Sequence, residues 1–305
     1  MSLSNKTIQI IIAYFFIYVV WGSTYFFIGV ALKGFPPFLL GAIRFSIAGL
    51  LLLSWCILKG EPAFKKRLMK RSAISGVVLL FIDMAVVMLA QQYLSSSLVA
   101  IIASSTVIWI FLLDMPMWKT NFNRWNVLVG LIIGFAGVML LFIEQFKIQD
   151  HSNPYGVYGI LLLIFGCISW ALGSLYAKYR SSHEEEQNAF AGTSWQMLSA
   201  SALFWIFASI RGEISSTDFS SIPTSAWLSL VYLIVLGSIF AYSSYVWLLK
   251  IRPAAEVGTH AYVNPVIAVF IGTTFGNEHV TFIQIAGMVI ILTSIMLVNK
   301  RLKKQ

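Results

Sequence analysis

The chain has 305 residues, 58% of them hydrophobic and 11% charged, with a net charge of +9. A soluble domain carries near ~25% charged residues, so the composition excludes an ordinary aqueous fold. The excess Lys and Arg is spread over loop ends and a tail, which argues against nucleic acid as a partner and fits anionic lipid headgroups.

Ten apolar stretches run almost end to end: 8–30, 36–58, 73–93, 95–118, 126–143, 156–178, 189–210, 224–249, 254–276 and 280–298. Each reaches or approaches the ~20 residues a helix needs to cross a ~30 Å hydrocarbon core. The first is too long for the core of a cleavable signal and lacks a small-residue cleavage site after it, so it reads as a retained helix. The two cysteines, Cys56 and Cys167, lie inside stretches, and no extracytoplasmic disulfide is implied. If the N-terminus is cytoplasmic, the even-numbered connections and both tails hold 17 of the 21 Lys+Arg; the other side keeps Lys33, Lys147 and Arg211, and Arg44 lies within a stretch. That asymmetry follows the positive-inside rule. The predicted fold is therefore all-α: a multi-pass protein of the inner (plasma) membrane, with ten transmembrane helices and both ends cytoplasmic.

The chain divides near residue 150 into halves of five stretches, 1–150 and 151–305. Gly41-Ala42-Ile43-Arg44-Phe45-Ser46-Ile47-Ala48 resembles Thr193-Ser194-Trp195-Gln196-Met197-Leu198-Ser199-Ala200, with Gln196 standing at the place of Arg44. Gly130-Leu131-Ile132-Ile133 matches Gly287-Met288-Val289-Ile290. With an odd number of spans per half, the second half enters from the opposite face, which predicts an inverted repeat with its site near the midplane.

Candidate residues follow in the same order. In the first stretch Tyr14, Tyr18, Trp21 and Tyr25 share one face, with Ser23 and Thr24 nearby. Tyr14, Trp118 and Trp227 sit at span ends, as interfacial aromatics do, whereas Trp21 lies deeper. Arg44 in the second stretch and Asp83 in the third fall roughly 12–15 Å deep at 1.5 Å per residue. A charge in hydrocarbon costs ~2.5–3.5 kcal/mol on insertion scales, so both should face the bundle interior. Two roles stay open: an ion pair that fixes packing, or a working pair in which Asp83 accepts a proton or a substrate ammonium. Ser104, Ser105 and Thr106 offer hydrogen bonds from the fourth stretch, whose Asp114 is expected to reach water at the cytoplasmic end. Gly130, Gly134 and Gly137, with Gly287 and Ser294 in the tenth, predict close helix packing. Trp170 in the sixth stretch is the repeat counterpart of Trp21, and Ser238, Tyr242 and Tyr245 form a stripe on the eighth. In the ninth, Pro253 and Glu256 are ordinary helix-start chemistry. His260 and Asn264 continue that face, and Pro265 frees a carbonyl one turn back, which is tolerated where backbone is buried in protein or lines a cavity. His260 reads either as a packed core histidine or as a proton carrier. An aromatic wall with a few hydroxyls suits a partly apolar organic solute better than a bare ion. The sequence offers no metal set, phosphate-cradling glycine loop, nucleophile–base arrangement or Walker motif, so neither a cofactor, a metal nor an enzymatic activity is expected.

Several features together resemble the ten-helix EamA-type exporters of the drug/metabolite transporter superfamily. They are Trp21-Gly22-Ser23-Thr24, Arg44-Phe45 with Ala48-Gly49, Ala90-Gln91-Gln92-Tyr93 leading into Ser95-Ser96-Ser97, Gly130 with Gly137, and Asn264-Pro265 with Gly276-Asn277-Glu278. The first half departs from the pattern with Val107 where the second has Pro265, and Trp118-Lys119-Thr120 where the second has Gly276-Asn277-Glu278. The resemblance implies export of small metabolites such as amino acids by alternating access. On that expectation Trp21, Ser23, Tyr25, Ser104, Ser105, Trp170, Gln196, Tyr242 and Asn264 bind substrate. Arg44, Asp83 and His260 are then the buried charges or coupling groups, with protons as the coupling ion and a monomer or homodimer as the working unit. The rival expectations are a passive channel or facilitator, which needs polar or charged rings that are not visible here, and a carrier for nucleosides or drugs.

Overall fold

Backbone N–H and C=O groups find no water in hydrocarbon, so a chain this apolar must satisfy them within each segment. The computed structural model describes residues 5–148, 156–181, 189–275 and 281–299, and every regular element among them is helical. In chain order the main helices are α1 (Asn5–Ala31), α2 (Pro37–Leu58), α3 (Lys66–Ala90), α4 (Leu98–Leu113), α5 (Trp125–Ile148), α6 (Val157–Arg180), α7 (Ala189–Ile210), α8 (Thr224–Ile251), α9 (Ala254–Ile271) and α10 (Phe282–Asn299). Each predicted stretch falls on one of them. Six, namely α1, α2, α3, α6, α8 and α9, are long and apolar enough to cross a bilayer. A seventh arises if α4 is joined to Met115–Phe122, onto which it bends by 63°. Shorter apolar helices, Trp125–Leu140 and Ile285–Val298, lie within α5 and α10. The 22 residues of α7 include Thr193, Ser194, Gln196, Ser199 and Ser201, which dilute its hydropathy.

Local chemistry sets the helix ends. Pro37 occupies the first turn of α2, where its missing N–H costs nothing. At the other end Gly60 takes φ +70, and the bonds Gly60 N to Ile57 O (3.0 Å) and Glu61 N to Cys56 O (2.9 Å) close a Schellman motif that a Cβ would strain. Ser95 caps α4 by accepting from Leu98 N at 3.3 Å. The regular ladder loosens into π-helical turns at Phe16–Val20, Val77–Ile82, Ala177–Ser181 and Leu233–Tyr242. Two spans carry actual breaks: α4 at Ser104-Ser105 and α9 at Thr259.

The principal packing pairs are α2 on α7, α5 on α10, α4 on α9, α1 on α8 and α9, α6 on α3 and α4, α2 on α8 and α3 on α7. This set maps onto itself when α1–α5 are exchanged with α6–α10. Small residues allow the closest approaches, as the sequence predicts for α5 and α10. A Cβ at Gly137 would stand 2.9 Å from Gly287 O, and one at Gly134 would stand 2.6 Å from Ser294 Oγ. Phe45 stacks on Phe204 across α2 and α7, with ring centroids 5.7 Å apart.

Gly76 is the tightest of these approaches, because a Cβ there would lie 2.2 Å from the backbone oxygen of Gln196. Backbone cannot step aside as a flexible side chain can, so Gly76→Ala should overpack the α3–α7 contact and cost about 1–3 kcal/mol. At Gly192 the nearest atom to a built Cβ is 3.5 Å away, and Gly192→Ala should leave stability unchanged or slightly raised. Melting curves of the two purified variants check the contrast; equal melting points would show that the α3–α7 contact is not tight.

Candidate functional site

Among the described residues, the centre of the bundle holds a cavity bounded by α1, α2, α3, α4, α6, α8 and α9. Its volume is ≈ 60 Å³, room for several waters. Its floor is aromatic. Trp21 meets Trp170 edge-on with centroids 5.4 Å apart, and lies 5.1 Å from Tyr245 and 5.0 Å from His260. Tyr242 flanks both tryptophans at 6.3 Å.

Hydrogen bonds lock this corner. Trp21 Nε1 donates to Gly237 O at 3.0 Å, a carbonyl within the π-helical stretch of α8. Trp170 Nε1 donates to Tyr245 Oη at 3.0 Å, and the same hydroxyl is 2.6 Å from Ser174 Oγ. His260 Nδ1 lies 2.9 Å from Val257 O. A carbonyl only accepts, so Nδ1 carries the proton in that bond and Nε2 remains as the site that can take one.

The charged residues share the cavity without pairing. Arg44 and Asp83 both line it, at 4% and 8% exposure, yet no contact within 4.0 Å joins them among the described residues. Arg44 instead donates Nε to Ser238 Oγ at 2.9 Å, and its Nη1 has no partner. Asp83 lies beside Gly166 of α6, where a built Cβ would stand 3.2 Å from its Oδ1. Tyr242 Oη and Asn264 Oδ1 are likewise buried and unbonded. The ion pair that sequence position allows is therefore not formed, and Arg44 leans on α8 instead.

Of the twelve residues singled out from sequence, Trp21, Tyr25, Arg44, Asp83, Trp170, Tyr242, His260 and Asn264 line the cavity. Four do not. Ser23 is spent on Val20 O (2.6 Å) and Tyr232 Oη (2.6 Å). Ser104 turns back to Ile101 O at 2.5 Å, and Ser105, its hydroxyl unbonded, stays off the lining. Gln196 reaches from α7 into α3, donating to Ser75 Oγ at 2.8 Å. Thr106 and Ser238 also face the cavity; each belongs to a polar run of its stretch, but residue type alone does not show which hydroxyl turns inward. Gly237 left no signal, because its contribution is a carbonyl and an absent side chain.

Beyond the aromatic floor a polar layer joins the helices. Tyr18 Oη and Thr259 Oγ1 are 2.8 Å apart, Tyr14 Oη donates to Glu256 Oε1 at 3.2 Å, and Lys178 Nζ donates to Leu249 O and Arg252 O at 2.9 and 2.6 Å. Tyr14 therefore serves this layer rather than only a belt. Asp114, expected in water, is 1% exposed and accepts from Tyr179 Oη, because the 63° bend tucks it beneath the end of α6. Gly276-Asn277-Glu278 and the acidic run Glu184-Glu185-Glu186 lie outside the described residues.

With this geometry in hand, comparison with known proteins decides the class. The model of the EamA-like transporter family matches residues 8–143 and again 157–300. The chain belongs to that family. It is 32% identical over 290 residues to the uncharacterized inner membrane transporter YedA of Escherichia coli K12, covering 94% of this chain and 89% of that one. It is 26% identical to the uncharacterized transporter YvbV of Bacillus subtilis (95% and 91% covered) and 26% identical to an uncharacterized transporter of Archaeoglobus fulgidus (93% and 94%). A solved chain of 17% identity superposes with a TM-score of 0.75 over 96% of each chain, which speaks to the fold. Membership makes this a multi-pass membrane transporter and not an enzyme.

The hydrogen bonds separate two tyrosines that look alike in sequence. Tyr245→Phe strands Trp170 Nε1 and should cost about 1–3 kcal/mol of stability. Tyr242→Phe removes a hydroxyl that has no protein partner, so melting should be unchanged while solute affinity falls. If Tyr242→Phe destabilises as much as Tyr245→Phe, that hydroxyl is bonded within the protein.

Proposed function

We propose that this chain is a secondary transporter of the inner (plasma) membrane that exports small organic metabolites, amino acids or related amphipathic compounds, by alternating access. The central cavity carries the reading. It sets an aromatic wall of Trp21, Trp170 and Tyr242 beside one buried cation, Arg44, one buried acid, Asp83, and an unbonded amide oxygen on Asn264. An apolar body with a carboxylate at one end and an ammonium at the other complements such a lining, which combines apolar walls with a few placed polar groups. A channel would need a continuous polar track, and here Trp21, Trp170 and Tyr242 interrupt the polar lining.

Support for the transport cycle comes from the duplication of the family match and from packing pairs that survive exchange of the two halves. On this reading residues 1–150 and 151–305 are five-helix repeats of opposite orientation, with both termini cytoplasmic, and the solute site lies between them. Rocking of the repeats opens the site to either side, and the solute biases the equilibrium only by its different affinity for the two states.

Counterflow of labelled amino acids in proteoliposomes is the direct test: saturable exchange is expected, and a folded protein that exchanges none of a broad amino-acid panel would sink this substrate class. Coupling is tested on the two deep titratable groups. Asp83→Asn keeps the shape but not the proton site, so it should abolish accumulation driven by a pH gradient while sparing exchange. His260→Gln should alter the pH profile more mildly. If both variants accumulate solute like wild type, neither group carries the proton.

A further inference from the structure

A buried guanidinium needs an anion, and among the described residues no carboxylate of the protein pairs with the one in this cavity. Arg44 is 4% exposed. Its partners are the hydroxyl of Ser238 at 2.9 Å and the face of its neighbour Phe45, 4.9 Å from the ring centroid. Nη1 is left without a partner. Asp83 lines the same cavity but stays beyond ion-pairing distance, and among the described residues no other acidic side chain lines it. A buried charge with no counter-charge is costly, so a structure that keeps one in a cavity leaves its energy to be lowered by whatever enters.

Resting on the reading of the cavity as the solute site, we propose that Arg44 is its anion-binding residue, gripping a carboxylate, and that Ser238 and Gly237 position it. The guanidinium fork can give two parallel N–H bonds to one carboxylate. With Nε held by Ser238, Nη1 and Nη2 form the edge that remains. Gly237 keeps that edge open: a Cβ there would stand 3.3 Å from Arg44 Nη2 and 3.1 Å from Thr24 Cγ2, crowding the guanidinium against the wall. Both positions belong to the π-helical stretch Leu233–Tyr242, and such stretches recur at functional sites. The same stretch fixes Trp21 through Gly237 O, so one irregular turn of α8 orients both the cation and the aromatic floor. The apolar wall next to the cation commits the ligand to an organic carboxylate, since a bare inorganic anion would leave that wall unused.

The test uses the purified full-length protein in detergent at fixed chloride. Its melting temperature is followed while titrating L-leucine, L-phenylalanine and acetate against L-leucinamide, L-phenylalaninamide and acetamide; binding to the folded state raises it by mass action. The acids should bind at least about tenfold more tightly than the matched amides. Arg44→Gln should erase that preference. Ser238→Ala should weaken acids severalfold without affecting amides, Ser238→Thr should restore them, and Gly237→Ala should act like Ser238→Ala. The two α8 variants keep the guanidinium, so the test survives if Arg44→Gln does not fold. Equal binding of acid and amide to wild type overturns the proposal, as does a lack of stabilisation by all three carboxylates. If acid and amide bind equally and Trp170→Ala weakens both, Arg44 alone is misassigned and the cavity remains the solute site. Binding untouched by Trp170→Ala removes the solute from the cavity.

Discussion

The constraint on which everything else rests is that polar atoms in hydrocarbon must find partners within the protein. It makes every regular element of the described residues a helix, and it makes each departure from a regular ladder informative. Apart from Ala177–Ser181 at the end of α6, the departures are not scattered. Phe16–Val20 ends at Trp21, Val77–Ile82 ends at Asp83, and Leu233–Tyr242 contains Gly237, Ser238 and Tyr242. The breaks in α4 and α9 fall beside Thr106 and His260. Backbone irregularity at membrane depth is sustainable where it borders protein or a cavity, and in this bundle it gathers around one.

Within that cavity the polar atoms divide into two kinds. Trp21 and Trp170 each donate Nε1 at 3.0 Å, and His260 Nδ1 lies 2.9 Å from a carbonyl, so these rings are held in place; Tyr245, behind the lining, anchors Trp170. Arg44 Nη1, Tyr242 Oη and Asn264 Oδ1 are unsatisfied, so their bonding capacity is unspent. A preorganised aromatic corner loses little entropy when a solute docks, and the free donors and acceptor are what a polar solute can pair with.

The sequence told a good deal about this arrangement, and the limits have physical causes. Ten apolar stretches and the small-residue spacing of α5 and α10 were visible because span length and close packing act through composition alone. Tryptophans and deep charges were traceable because such side chains are costly in lipid and must turn inward. The hydroxyls were harder. A helical Ser can bond its own i−3 or i−4 carbonyl, as Ser104 does, or face a cavity, as Ser238 does, and the residue type does not distinguish them. Gln196 is the repeat counterpart of Arg44 by alignment but points at Ser75, because α7 faces α3 where α2 faces α8. The burial of Asp114 is not legible in the sequence, since the bend that buries it depends on how α4 meets the end of α6. Gly237 acts through a carbonyl and a missing side chain, and neither leaves a mark in composition or periodicity.

The separation of Arg44 from Asp83 bears on how such a site would work. Had they paired, the cavity would be electrically quiet, and an arriving solute would first have to break an ion pair in a low-dielectric space, where that attraction is strong. Held apart, with Arg44 leaning on Ser238 and Asp83 beside Gly166 of α6, the two side chains face the same cavity without spending themselves on each other. On the proposed reading a zwitterion relieves both at once, while a solute with one charge relieves only one. A state-dependent change in the distance between α2 and α3 would then alter solute affinity directly, because the helices carrying Arg44 and Asp83 are also walls of the cavity. Coupling between solute and conformation would need no relay through distant residues: differential affinity for two arrangements of the same walls is sufficient to bias the exchange between them.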